Sequence, residues 1–314
     1  MTPLTGFDKR RFLLRASAGL AALAGTGVLP RALADDAVIR IGVLKASITL
    51  RLMQDRGTLE KAGIKVQWTP YDSGPPLMTA MENNLIDFGS VGEGPPVISQ
   101  SNGADFVYVG YEVSNPDLVG LLVQKFSRIN RVADLKGKKI AVLMGSNAHW
   151  LILALLKQAG LRYSDIELVY LSPDDAFVEF KRGAVDAWAI WDPKLGSARA
   201  ILGARLLAPS NVKNYYPLVA RRKFFLKQGP LVHQIIDLLN LEGQWMKHNV
   251  NDAAARMMHY AGLSEQMLKK QIALSVPVYK HMDATAISNQ QEIADAFWES
   301  KAIPRRVQAK DIAF

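Results

Sequence analysis

The stretch from Lys138 to Gly160 constrains the fold more than any other. Ile140 to Met144 is an unbroken apolar run, short enough for a buried strand of a parallel sheet. Gly145-Ser146-Asn147 interrupts it, apolar residues recur at helical spacing from Ala148 to Leu156, and Gly160 stands where a helix should stop. A strand, a tight polar turn and a helix follow one another, with the turn at the carboxyl end of the strand. Such a turn aims unpaired N–H groups, and the positive end of a helix dipole, at whatever sits above the sheet. Ser146 and Asn147 add side-chain donors, so an oxyanion is the natural guest. The plainer alternative is that one of the two residues only caps the helix.

The same unit repeats on both sides. Val38 to Leu44 predicts a strand, followed by the polar turn Lys45-Ala46-Ser47 and a helix from about Thr49 to Ala62. Strands follow at Ile64 to Trp68 and Ile86 to Gly89, the second terminated by Gly92-Glu93-Gly94-Pro95-Pro96; Phe106 to Tyr111 and Leu118 to Val123 are β-type runs. Beyond Gly137 the alternation restarts. Ser172-Pro173-Asp174-Asp175 opens a helix, Val185 to Ala189 is a strand, and Trp191-Asp192-Pro193 stands at its end. From residue 217 helices dominate: Lys223 to Met246, Asp252 to Ala261, Glu265 to Ile272, and Ser288 to Ser300, where Ser288 and Gln291 have capping-box spacing. Alternating strands and helices predict parallel sheets covered on both faces, here in two α/β lobes. In open sheets of this kind ligands sit beyond the carboxyl ends of the strands, so turns from both lobes would line one cleft.

Charge and cysteine content narrow the functions. The chain of 314 residues has a formal net charge of +9, which suggests a polyanion binder. Residues 1–34, however, hold Lys9, Arg10, Arg11, Arg15 and Arg31 against Asp8, leaving 33 of the 38 basic and 28 of the 29 acidic residues. That balance gives no reason to expect a nucleic-acid partner. The same 34 residues read as an export signal: a basic start, an apolar stretch from Ala16 to Leu29 too short to span a bilayer, and Ala32-Leu33-Ala34 for cleavage. Lys9-Arg10 followed by Phe12-Leu13 resembles a twin-arginine signal; a general secretory signal is the alternative. Either way the destination is the periplasm. There is no cysteine, and the five histidines show no helical pairing, so neither thiol chemistry nor a metal site is expected.

Six short motifs then carry a resemblance. They are Arg56-Gly-Thr-Leu-Glu-Lys61, Asp87-Phe-Gly89 with Gly92-Glu-Gly-Pro-Pro96, Asp105-Phe-Val-Tyr-Val-Gly110 with Glu112, Asp134-Leu-Lys-Gly-Lys-Lys139, Gly145-Ser-Asn-Ala-His149, and Asp186-Ala-Trp-Ala-Ile-Trp-Asp-Pro193. In this order they resemble the substrate-binding proteins of ABC importers for aliphatic sulfonates, and more broadly the taurine, nitrate and thiamine-precursor binders. The resemblance implies an α/β chain with the type II periplasmic binding protein fold: two α/β lobes joined by two hinge strands, with the ligand cleft between them. Lobe I is expected at 35–115 plus 217–314 and lobe II at 116–216, hinged near Glu112–Asp117 and Ala208–Pro217. It implies a monomer with no cofactor and no catalysis, delivering a small anionic ligand, a sulfonate, to an ABC permease in the cytoplasmic membrane. Another anion such as nitrate or a carboxylate, or an enzyme on the same fold, are the competing readings.

Carried over position by position, Ser146 and Asn147 look like part of a sulfonate cradle and Glu93-Gly94 like the facing turn. Trp191 and Asp192 look like an aromatic wall and its acid, and Ser47 to Thr49 like the first-strand loop. This chain departs from the family there, with Lys45-Ala-Ser-Ile-Thr49 where Gln-Lys-x-Gly-Thr is usual. Lys45 thereby joins the candidate ligand contacts. Gly94 stands where threonine is common, which predicts a wider site. His149 is either a ligand contact or a packing residue, Trp150 a tail contact or core, and Glu112 a site residue or part of a hinge. Glu93, Glu112 and Asp192 would oppose a sulfonate unless they pair with cations such as Lys45, accept N–H groups, or serve a ligand amine.

Overall fold

The computed structural model describes residues 38–207, 212–261 and 263–314. The expected export signal, residues 1–34, and the stretch 208–211 of the expected second hinge lie outside them. The first series is β1 (Ile39–Leu44), α1 (Ile48–Asp55), α2 (Thr58–Lys61), β2 (Val66–Tyr71), α3 (Gly74–Glu82), β3 (Phe88–Ser90), α4 (Gly94–Asn102) and β4 (Phe106–Ser114). A second comprises β5 (Val119–Val123), β6 (Lys139–Val142), α5 (Asn147–Gln158), β7 (Glu167–Tyr170), α6 (Pro173–Lys181), β8 (Ala187–Trp191), α7 (Lys194–Leu202) and β9 (Arg205–Leu206). The chain ends with β10 (Asn214–Arg221), α8 (Arg222–His248), α9 (Val250–Ala261), α10 (Glu265–Leu274), β11 (Val278–His281) and α11 (Ala284–Glu299).

Two sheets result, a six-stranded one in the order β11-β4-β10-β3-β1-β2 and a five-stranded one in the order β7-β6-β8-β5-β9. Both are mixed rather than parallel. β1 runs parallel to β2 and β3, and β6 to β7 and β8, whereas β10 is antiparallel to β3 and β4, and β5 to β8 and β9. The alternation rule describes the βα units, and β4 and β5 fall on the β-type runs at Phe106 to Tyr111 and Leu118 to Val123, whereas the returning strand β10 is missed. β10 was hidden because Pro217 argues against a central strand. The structure accommodates it beside a register irregularity at Leu218/Val219, and the Pro217 carbonyl still accepts from the Val91 N–H at 3.1 Å.

Alternate strand residues feed opposite faces, as pleating requires. Ile39, Ile41 and Val43 pack with Leu50 and Met53 of α1 and Ile235 and Leu239 of α8 on one face of the first sheet; Leu77 and Met81 of α3 meet Tyr108 and Val219 on the other. In the second sheet Ile140 and Val142 pack on Leu151 and Leu155 of α5, while Ala141 and Trp188 pack on Phe180 of α6. The C-terminal helix α11 does not stay with the first sheet: its Ile293 and Phe297 share a core with Trp150 and Leu151 of α5 and with Val97 of α4.

Two helix starts differ from expectation. α11 begins at Ala284, capped by the Asp283 carboxylate, which accepts from the Ala286 N–H at 2.8 Å. Ser288 is thus inside the helix and forms no capping box there; an aspartate three residues ahead of a donor outcompetes it. α8 runs from Arg222 but breaks at Gln228 (φ −127°, ψ 29°), two residues before Pro230, whose ring cannot follow an intact turn.

Candidate functional site

The carboxyl ends of β1, β3, β6 and β8 converge on one cavity between the sheets. Its wall includes Ser47, Ile48 and Thr49 from the start of α1, Ser90 and Gly92 after β3, Ser146 and Asn147 at the start of α5, and Trp191 and Asp192 at the end of β8. Glu112 and Ser114 of β4, Tyr216 of β10, Met246, Gln271 and Ser275 from the C-terminal helices, and Leu44 and Leu118 also line it. The structure therefore brings Ser47, Thr49, Glu112, Ser146, Asn147, Trp191 and Asp192 together. Lys45, Glu93, Gly94, His149 and Trp150 are not among its lining residues.

The β6–α5 turn is built as its sequence suggests, with a division of labour. Gly145 adopts φ +70°, a conformation that other residues rarely take. The Ser146 hydroxyl accepts from the His149 N–H at 3.2 Å and donates to the Leu143 carbonyl at 2.8 Å, so its side chain is committed to the cap. Asn147 is left to the cavity, where its amide donates to the Tyr216 hydroxyl at 3.3 Å. The first N–H groups of α5 and of α1 have no acceptor within their own helices. Both helix starts line the cavity, so it has donors and two dipole ends to offer an oxyanion.

Each residue missing from the wall has a physical reason. Lys45 is 59% exposed in its side chain and pairs with Asp72 at the surface. The Glu93 carboxylate is 1% exposed and faces inward, accepting from the Tyr215 N–H at 2.9 Å and from the Asn289 amide at 3.0 Å. Burial pushes its carboxyl up to about 8, against the pull of those two donors. Gly94 does not widen the site. A Cβ there would stand 2.4 Å from the Gly145 carbonyl oxygen and 2.8 Å from that of Ser146, so the position is a backbone contact between α4 and the β6–α5 turn. His149 is fully buried against Phe297, with ring centroids 5.2 Å apart, and its Nδ1 accepts from the Gly145 N–H at 3.2 Å. Desolvation holds this imidazole down to about 4, so it is a neutral acceptor that shapes the turn. Trp150 lies in the core of the second sheet.

The acids of the wall are handled differently from one another. Asp192 accepts from the Gly196 N–H at 2.8 Å, capping the start of α7. Burial raises its carboxyl, opposed by that bond and by Arg199 and Lys270. Burial likewise pushes Glu112 up to about 7, opposed by the neighbouring Tyr279 hydroxyl. Among the described residues, no lysine or arginine lines the cavity. Sequence reasoning missed Ser90, Tyr216, Gln271 and Ser275. Ser90 ends β3 and obeyed the same strand-end rule as Ser47; the other three come from elements whose return to the cavity has no local signal.

The family described as NMT1/THI5 like matches residues 47–249 of this chain. A protein of Escherichia coli (strain K12) named for binding aliphatic sulfonates is 34% identical over 279 residues, which are 87% of this chain and 87% of that one. Among solved structures, the alkanesulfonate-binding protein SsuA from Xanthomonas axonopodis pv. citri, bound to MOPS, is 33% identical with a TM-score of 0.83, covering 88% of this chain and 98% of that one. The periplasmic aliphatic sulphonate binding protein SsuA from Escherichia coli is 33% identical with a TM-score of 0.81, covering 88% and 92%. With the two-sheet α/β architecture, these likenesses mean that the chain has the periplasmic binding protein fold and belongs to the aliphatic sulfonate-binding proteins of the NMT1/THI5-like family.

Proposed function

We propose that this protein captures a small organosulfonate in the cavity between its sheets and delivers it to an ABC permease. The observation that carries the reading is the pair of helix starts, α1 and α5, that line one cavity with Asn147, Thr49 and Tyr216 around them. A sulfonate is anionic at every physiological pH, and neutral N–H and O–H donors satisfy it without a counter-cation. Leu44, Leu118, Trp191 and Met246 offer apolar area for its carbon tail. Binding rather than catalysis fits the side chains. The one histidine near the cradle, His149, spends its Nδ1 on the Gly145 N–H and leaves the serines without a base.

The sheets would act as two lobes, 35–115 with 217–314 and 116–216, closing on the ligand. Support comes from the crossings: Ser114 and Asn214 pair side by side where the chain leaves and re-enters the first sheet, and the Asn214 amide donates to the Asn115 carbonyl at 3.2 Å. α11 packs on both α4 and α5, so opening would occur at the other edge. Residues 1–34 would direct a monomer to the periplasm and be removed before Asp35, which N-terminal sequencing of the exported protein checks. The ligand is tested by thermal shift against alkanesulfonates, taurine, sulfate, nitrate and carboxylates. A ligand at a hundred times its Kd should add about 2.7 kcal/mol of stability. Stabilisation by sulfonates supports the reading; stabilisation by nitrate or a carboxylate alone overturns it.

A further inference from the structure

Glu112 occupies an unusual place in the cavity. Its neighbours directly across the sheet are Tyr216 on β10 and Tyr279 on β11, so one carboxyl is flanked by two phenols, with Thr49 of α1 on the same wall. Other buried acids of the described residues have a guanidinium or a backbone donor. Asp87 pairs with Arg40 and Arg221, Glu242 with Arg56, and Asp192 accepts the Gly196 N–H. Glu112 faces a cavity that no lysine or arginine of the described residues lines.

We infer that Glu112 is the specificity-determining residue of this cavity: as a carboxylate it seats the ammonium of a zwitterionic aminosulfonate, and as a carboxylic acid it admits a plain alkanesulfonate. The inference rests on the sulfonate reading of the site. A ligand with a single negative charge brings no partner for an ionised Glu112, so its binding at alkaline pH must draw a proton onto that carboxyl. An ammonium group supplies the missing cation, and its binding needs no proton. Burial places the switch near neutrality, at about 7. The other groups around it leave this logic intact. Tyr216 and Tyr279 are themselves raised and stay protonated; Glu93 lies behind Tyr216 with its own donors; Asp192, the second acid of the wall, has the Gly196 N–H, with Arg199 and Lys270 in its surroundings.

Calorimetric titrations with ethanesulfonate and with taurine (2-aminoethanesulfonate), at pH 6 and pH 8 and in two buffers of different ionisation heat, test it. A carboxyl titrating at about 7 predicts that ethanesulfonate loses about tenfold in affinity between the two pH values, with net proton uptake at pH 8. Taurine should gain about tenfold in affinity from pH 6 to pH 8, releasing a proton on binding at pH 6, and should exceed ethanesulfonate at pH 8. Glu112→Gln should flatten the ethanesulfonate profile and cost taurine about tenfold at pH 8. Ethanesulfonate binding without proton uptake in the unaltered protein overturns the inference, and that reading needs no variant. A taurine preference that survives in Glu112→Gln also overturns it, placing the ammonium at Asp192. If neither compound binds at either pH, the inference falls together with the sulfonate reading; if both bind alike, it falls alone.

Discussion

Gly94→Ala asks how closely the two halves of the site must approach. An added Cβ would lie 2.4 Å from the Gly145 carbonyl oxygen, 2.8 Å from the Ser146 carbonyl oxygen and 3.0 Å from the Gly145 carbonyl carbon. Ordinary van der Waals contact begins near 3.4 Å, so the turn or the start of α4 must move by roughly 1 Å. All three atoms are backbone, and no side-chain rotation relieves them. Gly145 cannot retreat freely, because its own Cβ position already faces Ile98 at 2.5 Å and its N–H is held by His149. Overpacking of this kind costs about 1–3 kcal/mol, which for a chain of this size lowers Tm by several degrees. The displaced turn carries Asn147, so sulfonate affinity should fall by about tenfold or more, the loss of one charge-assisted hydrogen bond. Gly160→Ala is the comparison: its φ of +69° strains an added side chain but nothing lies within 4 Å, so it should cost some stability and no affinity. Melting and calorimetry on both variants give the answer. A Gly94→Ala protein that melts and binds like the unaltered chain refutes the close approach as a requirement of the site.

Two further perturbations separate the roles of individual side chains. Asn147→Ala should weaken a bound sulfonate by about 1.5–3 kcal/mol while melting nearly normally, because Ser146 keeps the helix cap; early melting with normal affinity would assign Asn147 to structure alone. Glu93→Gln should change how stability depends on pH. The buried carboxyl is raised to about 8 from an ordinary 4.5, so the folded chain holds a proton that the unfolded chain sheds, and stability declines as pH climbs through that interval. The amide keeps an acceptor for the Tyr215 N–H and does not titrate, so the variant should match the original near pH 4 and exceed it at pH 9 by on the order of a few kcal/mol. Parallel melting profiles across that range would show that Glu93 does not titrate there.

What the sequence made legible follows from which forces are local. The β6–α5 unit declared itself through an apolar run, a glycine and helical spacing, and its turn lines the cavity as such turns do. Asp192 and Trp191 could be placed by the same strand-end rule. β10 could not, because it is held by pairing with β3 and β4 from distant parts of the chain, and Pro217 masks it. Tyr216 was lost with it. Lys45 and Glu93 sit in turns at the correct strand ends, yet the side chains turn elsewhere, one to Asp72 in solvent and the other to Tyr215 and Asn289. Position along a strand fixes where a turn lies; the direction of each side chain depends on partners that are far away in sequence. Gly94 makes the same point: a missing hydroxyl suggested space, whereas packing had filled it with carbonyl oxygens from the neighbouring turn.

The central claim is that a sulfonate sits between the sheets on the helix starts of α1 and α5. A crystal structure of the protein grown with saturating ethanesulfonate tests it most directly. Sulfonate oxygens should lie at hydrogen-bond distance, about 2.7–3.2 Å, from the Asn147 amide and from first-turn N–H groups, with the ethyl group toward Trp191 and Met246. Ethanesulfonate bound outside this cavity, or with its sulfonate group turned away from both helix starts, would contradict it.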